Sequence, residues 1–248
     1  MTMIVLIAIL LVIALVLMAG SLHQMKLRLQ KSSQDIAEFS SHMSHELKTP
    51  LAILRGESEL ALRLEQTPEE YRKVLEGNLQ EISRMAKIIE DLLLLTRLDH
   101  QPQILKFEKF DLVDFLKEIE EAARLLAGEK KITVESDFPK ETCLFLGDKA
   151  HLRRLFFDLV KNAIKFTPAY GKIRMHMRRD GGNILISVSD TGAGAEAVAG
   201  NGLSFKIAQS ITKSHSGSIS AENRLGKGTT FTVKLPTASC CGLKVKKT

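Results

Sequence analysis

Met3 to Gly20, MIVLIAILLVIALVLMAG, is a run of eighteen residues without one charged or strongly polar side chain. At about 1.5 Å per residue a helix of that length nearly crosses the ~30 Å hydrocarbon layer of a bilayer. Ser21 and Leu22 can extend it. A cleaved signal peptide is the alternative, with small residues at Ala19 and Gly20. Against it, the apolar run is long and no Lys or Arg precedes it, whereas Lys26, Arg28 and Lys31 follow it. That positive-inside bias predicts a single-pass anchor over residues 1–22, with everything after it on the cytoplasmic side. Only Met1 and Thr2 would then stand beyond the membrane, so no extracellular sensing domain is expected within this chain.

The same basic residues explain the net charge. The chain carries 35 Lys and Arg against 29 Asp and Glu, a balance of +6. Lys26, Arg28 and Lys31 at one end and Lys244, Lys246 and Lys247 at the other account for all of it. The body between is neutral, which removes any global electrostatic case for nucleic-acid binding. Cys143, Cys240 and Cys241 match neither a metal pattern nor a disulfide framework, and Cys143 lies among Leu144, Phe145 and Leu146 as an inert strand residue would.

From Ser32 to Thr96 the apolar positions recur at helical spacing. Ile36, Phe39, Met43, Leu47, Leu51, Leu54 and Ala61 line one helix; Leu75, Leu79, Ile82, Ala86, Ile89 and Leu93 line a second in alternating steps of four and three. Between them Thr67 is a candidate cap, Pro68 a first helical residue and Glu70 the closing member of a capping box. The expectation is an antiparallel hairpin over 36–98, joined to the membrane run by a linker over 23–35. Its stripes are too wide for the two helices to cover for each other, so dimerisation into a four-helix bundle is expected.

Within the first helix, Pro50 removes an amide donor and crowds the carbonyl of Glu46, so a kink is expected there. Leu47 points to the seam and His45 to solvent. A neutral imidazole beside a carboxylate can act as a nucleophile that loses its far proton as attack begins. The segment Phe39 to Leu51, FSSHMSHELKTPL, resembles the phosphoacceptor box of bacterial sensor histidine kinases. On that resemblance His45 takes the phosphoryl group, Glu46 is its general base, and Thr49 helps to place water when the same domain dephosphorylates its partner. His42 matches no such position and reads as a surface residue.

The second half changes texture. Asp111 can cap a helix through about Leu126; strands are expected at Lys131 to Glu135 and around Cys143 to Leu146. Asp148 precedes a helix that carries Asp158 and Asn162 four apart, hence on one side, where two oxygen donors could hold a hydrated Mg²⁺. Strands over Lys172 to Arg178 and Ile184 to Ser189 flank Gly181-Gly182 in hairpin style. The second leads into Asp190-Thr191-Gly192-Ala193-Gly194, a carboxylate followed by glycines that permit close approach to a flat base. Gly200-Asn201-Gly202 opens a helix over Leu203 to Ser214 whose free amides can face phosphate oxygens. Two more strands, Gly217 to Ala221 and Gly228 to Leu235, complete an α+β pattern. Neither glycine cluster is a P-loop or a dinucleotide fingerprint.

Taken in order, these boxes are similar to the ATP-binding domain of histidine kinases, a mixed sheet with helices on one side, shared with gyrase-type, chaperone and mismatch-repair ATPases. The resemblance spans about residues 34–236. It implies an ATP-binding domain over 99–236, followed by a basic tail over 237–248. It also implies Asn162 as Mg²⁺ chelator, Asp190 as the reader of adenine, Lys165 near the phosphates, and Gly192, Gly194, Gly200 and Gly202 as the two glycine boxes. The implied activity is autophosphorylation of His45 by ATP with Mg²⁺, then transfer to an aspartate of a response regulator at the bacterial inner membrane. Two sources of input stay open, a larger sensor of which this chain is a fragment, or a separate sensor subunit. Three departures bear on activity. Asp158 replaces a usual asparagine, Ser204 a usual glycine, and only Ala195 to Ala199 stand where the family has a lid of about twenty residues that excludes water. The alternative expectation is a weak pseudokinase or a membrane-anchored dimeric scaffold.

Overall fold

The structure is a computed structural model of the 248-residue chain, and it describes residues 43–65, 67–100, 105–192, 202–224 and 228–237, with Met18, Gly20, Met25 and Lys26. The expected membrane run, Ile36, Phe39, His42, Gly194, Gly200, Cys240 and Cys241 lie outside the described residues. Among the described residues no helix is long and apolar enough to cross a membrane. The chain divides into two units, Met1–Ala86 and Lys87–Thr248.

Helix α1 is described over 43–63 and is followed by α2, Pro68–His100, whose residues from Lys87 onward belong to the second unit. Thr67 and Glu70 cap α2 reciprocally. The Thr67 N–H donates to Glu70 Oε2 at 2.7 Å and the Glu70 N–H to Thr67 Oγ1 at 3.3 Å. The Thr67 N–H and the Thr67 hydroxyl, which donates to the same oxygen at 3.0 Å, hold the Glu70 carboxyl below its ordinary range, and Pro68 stands at the first helical position as expected. An Asn78 Nδ2 to Ser58 Oγ bond of 3.2 Å joins the two helices as an antiparallel hairpin. The helix α1 continues through Pro50 rather than breaking there, and the Thr49 hydroxyl donates to the His45 carbonyl at 3.1 Å, one residue before the Glu46 carbonyl that the proline deprives of an amide donor. The expected seam divides in two. Met43 and Ala61 are buried and Leu47 and Leu54 half-buried, with Leu51 exposed between them, whereas Leu75, Leu79, Ile82, Ile89 and Leu93 all lie exposed in the single chain. Val74, Asn78, Glu81 and Met85 of α2, each one position away from the apolar stripe, are partly covered. Periodicity gives a face but not what faces it.

The second unit is a layered α+β domain. Its five-stranded sheet has the order β2-β4-β5-β7-β6, where β2 is Thr133–Asp137, β4 Lys172–Asp180, β5 Asn183–Asp190, β6 Ser218–Arg224 and β7 Gly228–Pro236. Only β2–β4 is parallel. Burial alternates residue by residue along β5 and through most of β7, so one face carries the core and the other is solvated. Helices α3 (Leu112–Gly128), α4 (Lys149–Phe166) and α5 (Leu203–Ser214) cover the core face. Ile173, Met175, Ile184, Ile186, Phe156 and Ile211 meet there. Cys143 is buried among them, in keeping with an inert thiol.

Two boundaries differ from expectation for a local reason. Lys131 has φ 56° and closes the turn after α3, so β2 begins at Thr133 rather than Lys131. A short strand that the pattern did not announce, β1 at Glu108–Asp111, pairs antiparallel with β3, Leu144–Gly147. Asp111 ends β1 and caps α3 through its Oδ1, which accepts from Val113 at 2.9 Å and also from the Cys143 N–H at 3.1 Å. One carboxylate thus ties a strand, a helix start and the neighbouring strand together.

Candidate nucleotide site and phosphoacceptor turn

Asp190, the last residue of β5, is buried. Its Oδ1 accepts from the Gly192 N–H at 2.8 Å and from the Thr229 N–H at 3.4 Å. Both bonds fall on one oxygen, which leaves Oδ2 to accept from a ligand. Burial raises the carboxyl's pKa, and the two amides pull it back. The backbone around it is close-packed. A Cβ on Gly192 would stand 2.5 Å from the Phe166 carbonyl oxygen at the end of α4 and 2.8 Å from Asp190 Oδ1. Gly228, at φ 84°, lets the start of β7 lie against the Asp190 backbone, where a Cβ would overlap the carbonyl oxygen. Three chain segments, the ends of β5 and α4 and the start of β7, therefore converge on one carboxylate. The sequence reading singled out Asp190 and Gly192 but missed Thr229. Its signal was available, since a strand that opens with Gly228-Thr229 after Gly226-Lys227 has an amide free to reach a neighbour.

Asp158 and Asn162 lie one turn apart on α4, both half-buried. Asn162 makes no side-chain hydrogen bond among the described residues. Asp158 is differently placed: burial raises its pKa, and Arg154, whose Nε stands 3.9 Å from Asp158 Oδ2, draws it down. Arg154 also pairs with Asp91 on α2, and Asp91 with Lys87 at 3.4 Å. The two α4 side chains are hard oxygen donors on one helical face, a set that suits Mg²⁺ when water and phosphate supply the remaining positions. Among the described residues no cluster of His, Cys, Asp and Glu could hold a metal alone. Lys165 is exposed, with its ammonium 5.1 Å from the Phe166 ring centroid, and its carbonyl accepts from Lys130 Nζ at 3.1 Å. Gly202 is the N-cap residue of α5, exposed and without a side-chain cap bond.

On α1, His45 is exposed, Glu46 half-buried and Thr49 exposed, with Pro50 buried behind them. An accessible imidazole, an adjacent carboxylate and a hydroxyl one turn on are the groups a phosphoryl acceptor needs.

Residues 35–101 match the His Kinase A (phospho-acceptor) domain, and residues 147–239 the family described as histidine kinase-, DNA gyrase B- and HSP90-like ATPase. The chain is 31% identical over 230 residues to the probable sensor protein PcoS of Escherichia coli, covering 84% of this chain and 48% of that protein. It is 30% identical over 227 residues to the sensor histidine kinase RppB of Synechocystis sp., covering 83% and 50%. It thus spans about half the length of these relatives. In fold it is similar to the histidine kinase ThkA, solved in complex with the response regulator TrrA, with a TM-score of 0.67 at 23% identity over 81% of this chain and 61% of that one. A hairpin with an exposed His45, an ATPase-type sandwich closing on Asp190, and matches to both domains in their order on the chain lead to one assignment: this chain belongs to the sensor histidine kinases.

Proposed function

We propose that the chain is an ATP-dependent protein histidine kinase that phosphorylates its own His45 and passes the phosphoryl group to an aspartate of a response regulator. The observation that carries this reading is the exposed His45 beside Glu46, in the same chain as a buried Asp190 with one oxygen left to accept a base amine. Asp190 reads adenine through the exocyclic amine, and Gly192 and Gly228 bring backbone close enough for a flat ring to lie beside it. An imidazole nitrogen of His45 attacks the γ-phosphorus in line; the bond to the β,γ-bridging oxygen breaks, ADP leaves, and the far N–H proton passes to Glu46. Asn162 and Asp158 would hold Mg²⁺, which when bound supplies positive charge against the transferred oxygens. Lys165 and the first-turn amides of α5, with Gly192 and Gly202, face the phosphates. Thr49 helps to place water when the same domain dephosphorylates its partner.

Three further readings belong to the same proposal. The exposed stripe Leu75, Leu79, Ile82, Ile89 and Leu93 is the surface of a homodimer, since so continuous an apolar row is unfavourable in water. The run Met3 to Gly20 anchors the chain in the bacterial inner membrane with the catalytic part cytoplasmic. The complex of ThkA with TrrA favours a response regulator as the partner. The scaffold alternative is disfavoured by the intact surroundings of Asp190, which a scaffold has no need to retain.

The test is transfer from γ-labelled ATP with Mg²⁺ to the full chain in detergent micelles. Label should appear on a nitrogen-linked, acid-labile site, and should vanish in His45→Gln and in Asn162→Ala. Label that survives His45→Gln, or no label and no nucleotide binding in the native chain, overturns the reading.

A further inference from the structure

The second unit contains a histidine that the proposed chemistry leaves unused. His215, the C-cap residue of α5, is only 3% exposed. Its Nδ1 lies 2.8 Å from the Ile211 carbonyl oxygen, and its Nε2 lies 2.9 Å from the Asp148 backbone nitrogen. A carbonyl can only accept and a backbone N–H can only donate. Nδ1 therefore carries the proton, Nε2 offers its lone pair, and the ring is neutral. A second proton would set an N–H against the Asp148 N–H with no room to turn away. The Phe107 ring lies against the imidazole at 5.1 Å between centroids, and a Cβ on Gly147 would come within 3.1 Å of His215 Cδ2.

Asp148 is the other half of the joint. Its Oδ1 accepts from the His151 N–H at 2.9 Å, which caps α4, and its Oδ2 accepts from the Lys106 N–H at 2.7 Å. The end of α5, the start of α4, the end of β3 and the approach to β1 thus meet at two side chains. The groups that act electrostatically on the imidazole are the Asp148 carboxylate, which favours protonation, and His151, which opposes it; Phe107 brings no charge. Burial outweighs both and lowers the His215 pKa.

α4 carries Asn162 and Asp158, and α5 begins just after its N-cap residue Gly202; on the proposed function these are the phosphate-side elements of the site. They are adjacent in the layer of helices, and the bond from the Asp148 amide to His215 joins the start of one to the end of the other. Resting on the nucleotide-binding reading above, we infer that His215 is a positioning residue whose neutral imidazole holds α4 and α5 in the arrangement that binds the phosphates, so that nucleotide affinity falls when the ring is protonated. Its role is not to touch the nucleotide but to keep two helices from sliding past one another.

The experiment compares the full chain in detergent micelles with His215→Gln and His215→Phe. Gln offers a donor and an acceptor but does not titrate; Phe fills the space and leaves the Asp148 N–H unpaired. The dissociation constant for Mg²⁺·ADP is measured by calorimetry from pH 8 to pH 5.5, well below each protein's melting temperature. The nucleotide's own phosphate titrates in this range, so the readout is the difference between proteins. The native chain should weaken by about fivefold more than His215→Gln on acidification, and His215→Phe should bind weakly at every pH. In parallel, hydrogen exchange in the peptide covering residues 203–208 should quicken in the native chain relative to His215→Gln at pH 5.5 and match it at pH 8. Superimposable affinity curves for the native chain and His215→Gln overturn the inference, as does a His215→Phe protein that melts earlier but binds as the native chain does at pH 8. Failure of all three proteins to bind nucleotide overturns the functional reading. The exchange difference then decides the inference alone: equal exchange at pH 5.5 sinks it and faster native exchange sustains it.

Discussion

Replacement of Gly228 by alanine tests how firmly the site is built from backbone. Two penalties apply there. The residue sits at φ 84°, where an L side chain is strained by about 1–2 kcal/mol. Its new methyl would also overlap the Asp190 carbonyl oxygen and lie 2.7 Å from the carbonyl carbon and 3.1 Å from Oδ1, well inside van der Waals contact. Backbone on both sides must then part at the place where β5 and β7 meet. Two other glycines separate the contributions. Gly181, at φ 57° with nothing within 4 Å, carries the conformational penalty alone, and Gly182 has its nearest neighbour at 3.9 Å. Urea unfolding followed by circular dichroism should therefore rank the alanine variants. Gly182→Ala should lie within about 0.5 kcal/mol of the native chain, Gly181→Ala about 1 kcal/mol below it, and Gly228→Ala about 2–4 kcal/mol below. Only Gly228→Ala should also weaken ADP binding, by about tenfold or more, because the Thr229 amide would be carried away from Asp190. If Gly228→Ala is no less stable than Gly181→Ala and binds ADP normally, the junction yields freely and the argument from close approach fails.

Asp190→Asn keeps an oxygen for the Gly192 and Thr229 amides but turns a donor toward the adenine amine. The fold should survive while ATP affinity drops by about 1.5–3 kcal/mol in calorimetry, with relative gain for a 6-oxo purine such as ITP. Asp158 should behave in the opposite sense toward stability. Burial raises its pKa, so the folded state binds that proton more tightly than the unfolded one, and stability is lost as pH rises through the folded value. Asp158→Asn should then melt at or above the native temperature at pH 7 and show no gain near pH 4. For His215 the folded pKa is lowered, so its contribution is whole above about pH 6.5 and is lost as pH falls through the folded value. Asp148 follows at lower pH, its carboxyl held down because the bonds from His151 and Lys106 outweigh burial. Acid melting curves should show the upper loss removed in His215→Gln. With only Ala195 to Ala199 between Gly194 and Gly200, ADP and ATP should bind with similar, weak affinities, and a graft of about twenty residues there should tighten ATP more than ADP; strong ATP preference in the native chain would refute this.

Much of the architecture was written in local chemistry. Thr67-Pro68-Glu70, Asp111 and Asp148 are caps whose side chains bond neighbouring amides, so pattern alone located three helix starts. Helix α5 begins and ends where the spacing put it. Legibility stopped where a residue's partner lies far along the chain. The strand β1 is four residues long and exists because β3 pairs with it. The Asp190–Thr229 contact joins residues 39 apart, and the His215–Asp148 bond residues 67 apart. The helical stripe of α2 was visible, but which residues face α1 depends on a rotation of the helix that no periodicity specifies. In the site, residue type and spacing singled out Asp190, Gly192 and Asn162 as candidates, while the tie of Asp158 to Arg154 and Asp91 came only with the structure.

The single parallel pairing, β2 with β4, has a kinetic consequence. β4–β5 is a hairpin that closes over Gly181 and Gly182, β6 pairs antiparallel with β7, and a clasp between β5 and β7 suffices to join the two pairs. β2 cannot join until α4 and β3, which lie between it and β4 in the chain, have found their places. The loop that must close spans a strand, a whole helix and the connections around them, an entropic toll that delays contact formation. β2 should thus be the last strand to assemble and the first whose amides exchange. The ion pairs of Glu135 with Lys172 and Arg174 guard that seam after folding rather than guiding it during folding.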